Sequence, residues 1–196
     1  MQQGIKPVFV FDGKPSDLKS KTLSERKKIR TEAGKKMEQA LKEGKKEEAK
    51  KYAQQAVKLT PELIESAKKL IELMGLPIVQ APSEGEAQIA HMVAEGKLQG
   101  CVSQDYDALL FGTPELLRNI TITGKRKAPG KNYYYEFVPE KISLQKNLKQ
   151  LGISREKLVW IAILVGTDFN EKFPRIGAKT ALKLVKEHNS FEEIIK

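Results

Sequence analysis

The sequence predicts an α/β protein with a central, largely parallel sheet flanked by helices. Three observations predict it. "KPVFVFDG" is a short continuous apolar run ending in an acid and Gly, and "LPIVQAP" and "QGCVSQ" are two more such runs, as buried strands give. Helical patterns follow them or lie between them, and that alternation is the signature of parallel strands joined by helical crossovers. A lysine-rich run of helix formers interrupts the alternation after the first strand and reads as a projection from the body.

Taken in order, "KPVFVFDG" is the first strand, ending at Asp12 and Gly13. Residues 14–59 then hold fifteen Lys/Arg and seven Asp/Glu, a balance of +8, within a chain whose whole charge is +10 from 35 Lys+Arg against 25 Asp+Glu. This segment is expected to form helices interrupted at Gly34 and Gly44. Its apolar positions are sparse: Ile29, Ala33, Met37 and Ala40 form one thin stripe, and Tyr52, Ala56 and Leu59 another. A concentrated positive excess suits a polyanion, although a solvated helical pair has the same pattern.

Residues 61–74 carry Leu63, Ile64, Ala67, Leu70, Ile71 and Met74 at helical spacing, with Gly75 as a stop. After the strand "LPIVQAP", residues 84–95 read as a helix. Ser83 fits as its N-cap and Glu86, three residues on, completes a capping box. The third strand, "QGCVSQ", leads into "DYDALLFG". "LLRNITITG" and "NYYYEFV" look like paired strands around a basic turn, "GKRKAPGK", and "SREKLVWIAILVG" is an apolar helix.

The exclusions are equally informative. No apolar run approaches the length of a membrane span, and no signal-peptide pattern is present. The lone Cys101 has no partner for a disulfide within the chain, which suits a reducing intracellular setting. His91 and His188 fall in no zinc-ligand spacing, and neither a catalytic triad, a P-loop nor a GxGxxG motif occurs. Both histidines read as surface or packing residues.

Ligands of open α/β sheets collect beyond the carboxyl ends of the strands. Asp12 ends the first strand, Glu84 and Glu86 follow the second, Asp105 and Asp107 follow the third, and Asp168 follows the apolar helix. Each acid alone has a mundane use as a cap or turn residue. Together, six carboxylates at one rim repel one another unless cations neutralise them. An all-oxygen donor set suits Mg²⁺ or Mn²⁺, and two such ions about 4 Å apart suit in-line displacement at a phosphodiester.

The ordered motifs "KPVFVFDGKP", "APSEGEAQ", "SQDYDALLFG", "RNITITGKRK" and "LVGTDFNEKFPRIGAKTALKLVKEH" resemble the flap endonuclease family of structure-specific 5′ nucleases, its archaeal members in particular, over essentially the whole chain. The resemblance implies a PIN-like 5′-nuclease core with a projecting basic helical arch and a C-terminal helix-hairpin-helix. It divides a single domain, 1–196, into a strand with a metal Asp (1–20), the arch (21–59), the α/β core (60–165) and the hairpin region (166–196).

By that resemblance Asp12, Glu84 and Glu86 surround one Mg²⁺, and Asp105, Asp107 and Asp168 a second, with Mn²⁺ as a substitute. Lys19 and Arg26, at the base of the arch, steer the scissile phosphate. Gly177 and Lys179, with Lys183 and Lys186, contact duplex phosphates from the hairpin, which in the family often holds K⁺. This chain departs by having Arg175, after Pro174, where the family usually has glycine. Family members also carry a segment before the first strand here, with a further metal Asp, and a C-terminal sliding-clamp motif, so the chain is expected to be truncated at both ends. The implied partner is branched DNA with a 5′ flap. The implied setting is replication and repair, in the cytoplasm near the nucleoid if archaeal or in the nucleus if eukaryotic. The alternatives are a catalytically incomplete fragment that binds branched DNA, and a related ribonuclease, against which the basic arch and hairpin speak.

Overall fold

A computed structural model describes residues 4–120, 124–128, 133–136 and 138–195. The elements in chain order are β1 (Phe9–Phe11), α1 (Ser20–Lys42), α2 (Lys46–Ala56), α3 (Pro61–Leu73), β2 (Ile78–Gln80), α4 (Gly85–Ala94), β3 (Cys101–Val102) and α5 (Asp107–Leu110). They continue with β4 (Glu115–Arg118), β5 (Lys125–Lys127), β6 (Tyr134–Glu136), β7 (Glu140–Ser143), α6 (Leu144–Leu151), α7 (Arg155–Val165), α8 (Ala178–Glu187) and α9 (Phe191–Ile194). The architecture is α/β, as expected. No helix among the described residues is long and apolar enough to cross a membrane.

Strands β1 and β2 pair with each other. Phe9 N–H donates to Pro77 and Ala81 N–H to Phe11, so the register advances in the same direction on both strands and the pair is parallel. Strand β3 is parallel to β4, while β7 joins the other edge of β4 antiparallel, with Arg118 opposite Glu140. The expected partnership of "LLRNITITG" with "NYYYEFV" is replaced by this arrangement. "LLR" belongs to β4, and the basic stretch "KRK" is itself strand β5, antiparallel to β6. Residues 121–123, 129–132 and 137, parts of that expected turn and its strands, lie outside the described residues.

The chain packs as two compact units, one comprising residues up to Phe9, Ser16–Val79 and Asp168–Asn170, the other Val10–Pro15, Gln80–Thr167 and the residues from Glu171 on. In the first, α1 and α2 form a hairpin. Its tight turn places Gly44 at φ +73°, and Lys45 N–H donates to Ala40 at 2.8 Å. Ala33, Ala40 and Ala49 are buried. Small side chains there let the two backbones approach closely. Ile29 and Leu59, expected in the apolar stripes, are instead 60% and 71% exposed. The next helix, α3, matches expectation: Thr60 accepts from Leu63 N–H, Pro61 opens the first turn, and Gly75 at φ +70° stops it.

Gly34 does not interrupt α1, which runs unbroken for 23 residues. One glycine costs about 1 kcal/mol in a helix interior, and the strong helix formers on either side outweigh it. A Cβ at Gly34 would meet nothing within 4 Å. Gly34→Ala is therefore expected to stabilise the chain by about 0.5–1 kcal/mol, read as an upward shift in thermal midpoint.

In the second unit, Cys101, Ala108 and Leu116 form a sealed core with Ile89, Leu109 and Ile142 packed on it. A second core joins α7 to α8 through Leu164, Ala181 and Val185, with Trp160, Phe173 and Phe191 around them. Serine caps define several helix starts here: Ser143 accepts from Lys146 N–H and Ser154 from Lys157 N–H.

Candidate metal centre

The acids at the strand ends are positioned by glycines. After β1, Gly13 N–H donates to the Ser83 carbonyl at 2.6 Å, drawing the end of the first strand against the loop after the second. A Cβ at Gly13 would lie 2.2 Å from the Ala81 carbonyl oxygen, so only glycine permits this approach. Asp12, one residue earlier, accepts from Gly85 N–H through Oδ1 at 2.7 Å. A Cβ at Gly85 would stand 2.9 Å from that same oxygen.

This contact corrects the expected capping box. The N-cap of α4 is Glu84, not Ser83, and Glu84 makes no side-chain capping bond. Asp12 supplies the carboxylate instead, from 73 residues away. A carboxylate at a helix N-terminus is favoured by the free N–H groups and the macrodipole, whichever segment provides it. Because Asp12 takes that place, Glu86 does not reach back to the cap and faces Ser103.

Ser103 joins two acid-bearing segments. Its hydroxyl donates to Glu86 Oε1 and accepts from Asp105 N–H at 3.0 Å. Half-buried Glu86 has its carboxyl held above the ordinary range. Burial is the largest cause; the Ser103 hydrogen bond opposes it, and the charges of Asp107, Asp105 and Asp12 add to it. Four of the predicted acids thus share one electrostatic neighbourhood. Serine in "VSQDYD" carries no sequence signal of this role, since its two partners are assembled only by the fold.

Glu84 stands half-buried immediately before α4, while Asp12, Asp105 and Asp107 are exposed. Among the described residues no three His, Cys, Asp or Glu side chains are set as direct ligands of one ion. The donors that converge are carboxylate oxygens. The nearby Cys101 is buried, with its thiol pushed up to about 11 by burial and by Glu86, and so offers no thiolate at neutral pH. That donor chemistry fits a hard divalent cation that keeps part of its water shell, and does not fit zinc. Neither histidine joins the acids: His91 lies 3.3 Å from Glu95 and His188 3.8 Å from Glu193.

Asp168, predicted to ligate the second ion, is found in the first unit among the basic residues at the foot of α1. Its Oδ2 accepts from Arg26 Nη2 at 2.8 Å and lies 3.9 Å from Lys19 Nζ. The Thr22 hydroxyl donates to the Asp168 carbonyl at 3.0 Å, and the Lys19 ammonium sits 4.6 Å from the Phe169 ring centre. Lys19 and Arg26 therefore do stand together, around a carboxylate. Sequence order places these groups about 140 residues apart and gives no indication that they meet.

In the predicted hairpin region, 166–196, a tight turn precedes α8. Ile176 N–H donates to the Phe173 carbonyl, with Pro174 and Arg175 at the corners and Arg175 in the left-handed region at φ +62°. The turn thus closes with arginine at the position that favours glycine. Gly177 is the N-cap of α8 and makes no side-chain cap. Gly177, Lys179, Lys183 and Lys186 are all exposed, and Lys183 lies 3.8 Å from Glu187.

Comparison with known proteins agrees with this architecture. The XPG N-terminal domain matches residues 1–33 and the XPG I-region residues 75–168. Flap endonuclease 1 of Pyrococcus furiosus is 58% identical over 187 residues, covering 95% of this chain and 55% of the relative. Flap endonuclease 1 of Staphylothermus marinus is 51% identical, covering 100% of this chain and 56% of the relative. The chain thus spans about half the length of the curated relatives it matches. Among solved structures, flap endonuclease-1 from Methanococcus jannaschii has a TM-score of 0.65 at 40% identity, covering 98% of this chain and 61% of that one. The catalytic core of Rad2 in complex with DNA substrate has a TM-score of 0.67 at 26% identity, covering 95% of this chain and 48% of that one.

Proposed function

The chain belongs to the flap endonuclease family, and on that premise we propose that it is a structure-specific 5′ nuclease, a divalent-metal-dependent hydrolase of DNA phosphodiesters. Its substrate is branched DNA with a 5′ flap, cut endonucleolytically at the junction or exonucleolytically from a 5′ end, as Okazaki-fragment processing and repair require. The observation that carries this reading is the gathering of acids around half-buried Glu86: Ser103 bridges Glu86 to Asp105, Asp12 sits at the start of the same helix, and burial together with the charges of Asp107, Asp105 and Asp12 disfavours ionisation of the Glu86 carboxyl.

In this proposal Asp12, Glu84 and Glu86 would hold one Mg²⁺ and Asp105 and Asp107 would serve a second, some through water, with Mn²⁺ able to substitute. Divalent ions held by these carboxylates would supply water activation and charge neutralisation for phosphodiester hydrolysis. The chain's own residues do the rest. Ser103 and the α4 N-terminus orient Glu86 and Asp12, and residues 21–59 form the basic arch that takes the flap. Residues 60–165 form the core, and 166–196 the hairpin region, where the α8 N-terminus, Gly177 and Lys179 meet duplex phosphate without reading sequence. Lys183 and Lys186 extend that contact along the helix.

Lys19 and Arg26 face Asp168 and are the phosphate-steering pair. Arg26 is 58% exposed, so its pairing with Asp168 contributes little to stability and leaves the guanidinium exchangeable toward phosphate. Replacing both by alanine is expected to slow cleavage about a hundredfold while weakening flap binding only severalfold. Equal loss of both rejects the steering role. Flap affinity should fall steeply with salt, because phosphate neutralisation supplies most of it; a flat titration between 50 and about 200 mM salt contradicts the basic-arch assignment.

Incubation with Mg²⁺ and labelled 5′-flap DNA, the equivalent RNA and plain duplex tests the function. Cleavage at the flap junction supports the nuclease reading, and preferential RNA cleavage supports a ribonuclease. The second reading is a module that binds branched DNA without cutting it. Tight flap binding without cleavage supports it.

A further inference from the structure

Arg118, the last residue of β4, has no part in the proposal above, yet it is tied to the segment that bears two of the acids. Its Nε donates to the Gln104 carbonyl at 3.1 Å, immediately before Asp105. Nη1 donates to the Tyr106 hydroxyl, and the guanidinium carbon lies 4.1 Å from the Tyr106 ring centre, between Asp105 and Asp107. On the other side Glu140, directly across the β4–β7 pair, holds Nη1 at 3.4 Å. Asn119 takes φ +61° at once after Arg118 and donates its amide to the Val138 carbonyl at 3.3 Å, so β4 ends at the arginine. The Arg118 side chain is only 18% exposed, which limits solvent screening of these contacts.

Three of these contacts fall on Gln104 and Tyr106, the residues that flank the acids rather than the acids themselves. A planar guanidinium can donate through its edge and Nε while its face lies on a ring; an ammonium can do neither of the first two in a fixed plane. Asp105 and Asp107 are exposed and repel Glu86, so their loop has an electrostatic reason to move away unless something holds its backbone.

We propose that Arg118 is a positioning residue for the metal centre: together with Tyr106 it clamps residues 104–107 so that Asp105 and Asp107 remain beside Glu86 and present their oxygens to a divalent cation. This rests on the divalent-ion reading of the site. The competing role for an arginine in a nucleic-acid-binding protein is direct contact with a phosphate, and the two make opposite predictions.

Mn²⁺ binding to the whole chain, followed by electron paramagnetic resonance, separates them, with thermal melting in chelator as a check on folding. Arg118→Lys keeps the charge and loses the fork; Tyr106→Phe keeps the ring and loses the hydroxyl. We expect Arg118→Lys to weaken Mn²⁺ binding about tenfold or more, as loss of an outer partner of metal ligands does, and Tyr106→Phe to weaken it severalfold. Flap-DNA affinity in chelator, and its salt slope, should be unchanged in both. Wild-type Mn²⁺ affinity in both variants overturns the clamp. So does a reduced salt slope for Arg118→Lys with Mn²⁺ binding intact, which assigns the arginine to phosphate. Failure of the wild-type chain itself to bind Mn²⁺ overturns the divalent-ion reading, a result distinct from either.

Discussion

Glu86→Gln is expected to lower flap cleavage by about a thousandfold, since a metal-centred charge stabilisation is worth several kcal/mol of barrier, while flap binding stays within severalfold. The same substitution should stabilise the metal-free chain at neutral pH. Burial, then Asp107, Asp105 and Asp12, hold the Glu86 carboxyl above its ordinary range against the pull of the Ser103 hydroxyl. A carboxyl whose folded value is raised keeps its proton in the folded state over a pH interval where the unfolded chain has already lost it. Stability is therefore lost as pH rises from the unfolded value through the raised folded value, and the penalty is complete above that. The difference in thermal midpoint between Glu86→Gln and wild type should accordingly grow from about pH 4.5 to pH 7 in chelator, and shrink when Mg²⁺ is added. A difference independent of both pH and Mg²⁺ would mean that Glu86 is a packing residue.

Gly13→Ala carries the largest expected cost to the fold. The added carbon would lie 2.2 Å from the Ala81 carbonyl oxygen and 2.6 Å from Pro82 backbone atoms, none of which belongs to a flexible side chain. The two segments must part, which costs about 3 kcal/mol or more and lowers the thermal midpoint by about 10 °C. Parting them also breaks the 2.6 Å bond from Gly13 N–H to Ser83 and displaces Asp12 from the α4 N-terminus. Cleavage should fall more than melting temperature alone explains, measured at a temperature where the variant is folded. Gly34→Ala, with open space around the added carbon, is the control that separates a general effect of glycine replacement from this collision. Unchanged melting and activity in Gly13→Ala would contradict the close approach that builds the site.

Much of this was legible in residue order because its causes are local. Thr60, Pro61 and Gly75 bracket α3, and Ser154 and Gly166 bracket α7, so caps and stops gave those helices their ends. Strand β7 was not legible: "EKIS" has one apolar residue, and it pairs only because β4 offers an edge. Gly34 misled because a breaker signal is weak against 23 residues of helix formers.

The acids were legible as candidates because strand ends in α/β folds collect ligands. What each does locally was not. The capping-box pattern at Ser83 and Glu86 is a correct local preference that a distant carboxylate overrides, and the pairing of Asp168 with Arg26 and Lys19 joins groups far apart in sequence. Ser103 and Arg118 escaped for the same reason: their partners become neighbours only through the β3–β4 and β4–β7 pairings and the packing of α4.

The most direct test is anomalous diffraction from crystals of the chain grown or soaked with Mn²⁺. Manganese coordinated by carboxylate oxygens of Asp12, Glu86, Asp105 and Asp107, directly or through a single water, is the predicted result. Manganese confined to scattered surface acids, with those four carboxylates unoccupied at saturating ion, would contradict the account.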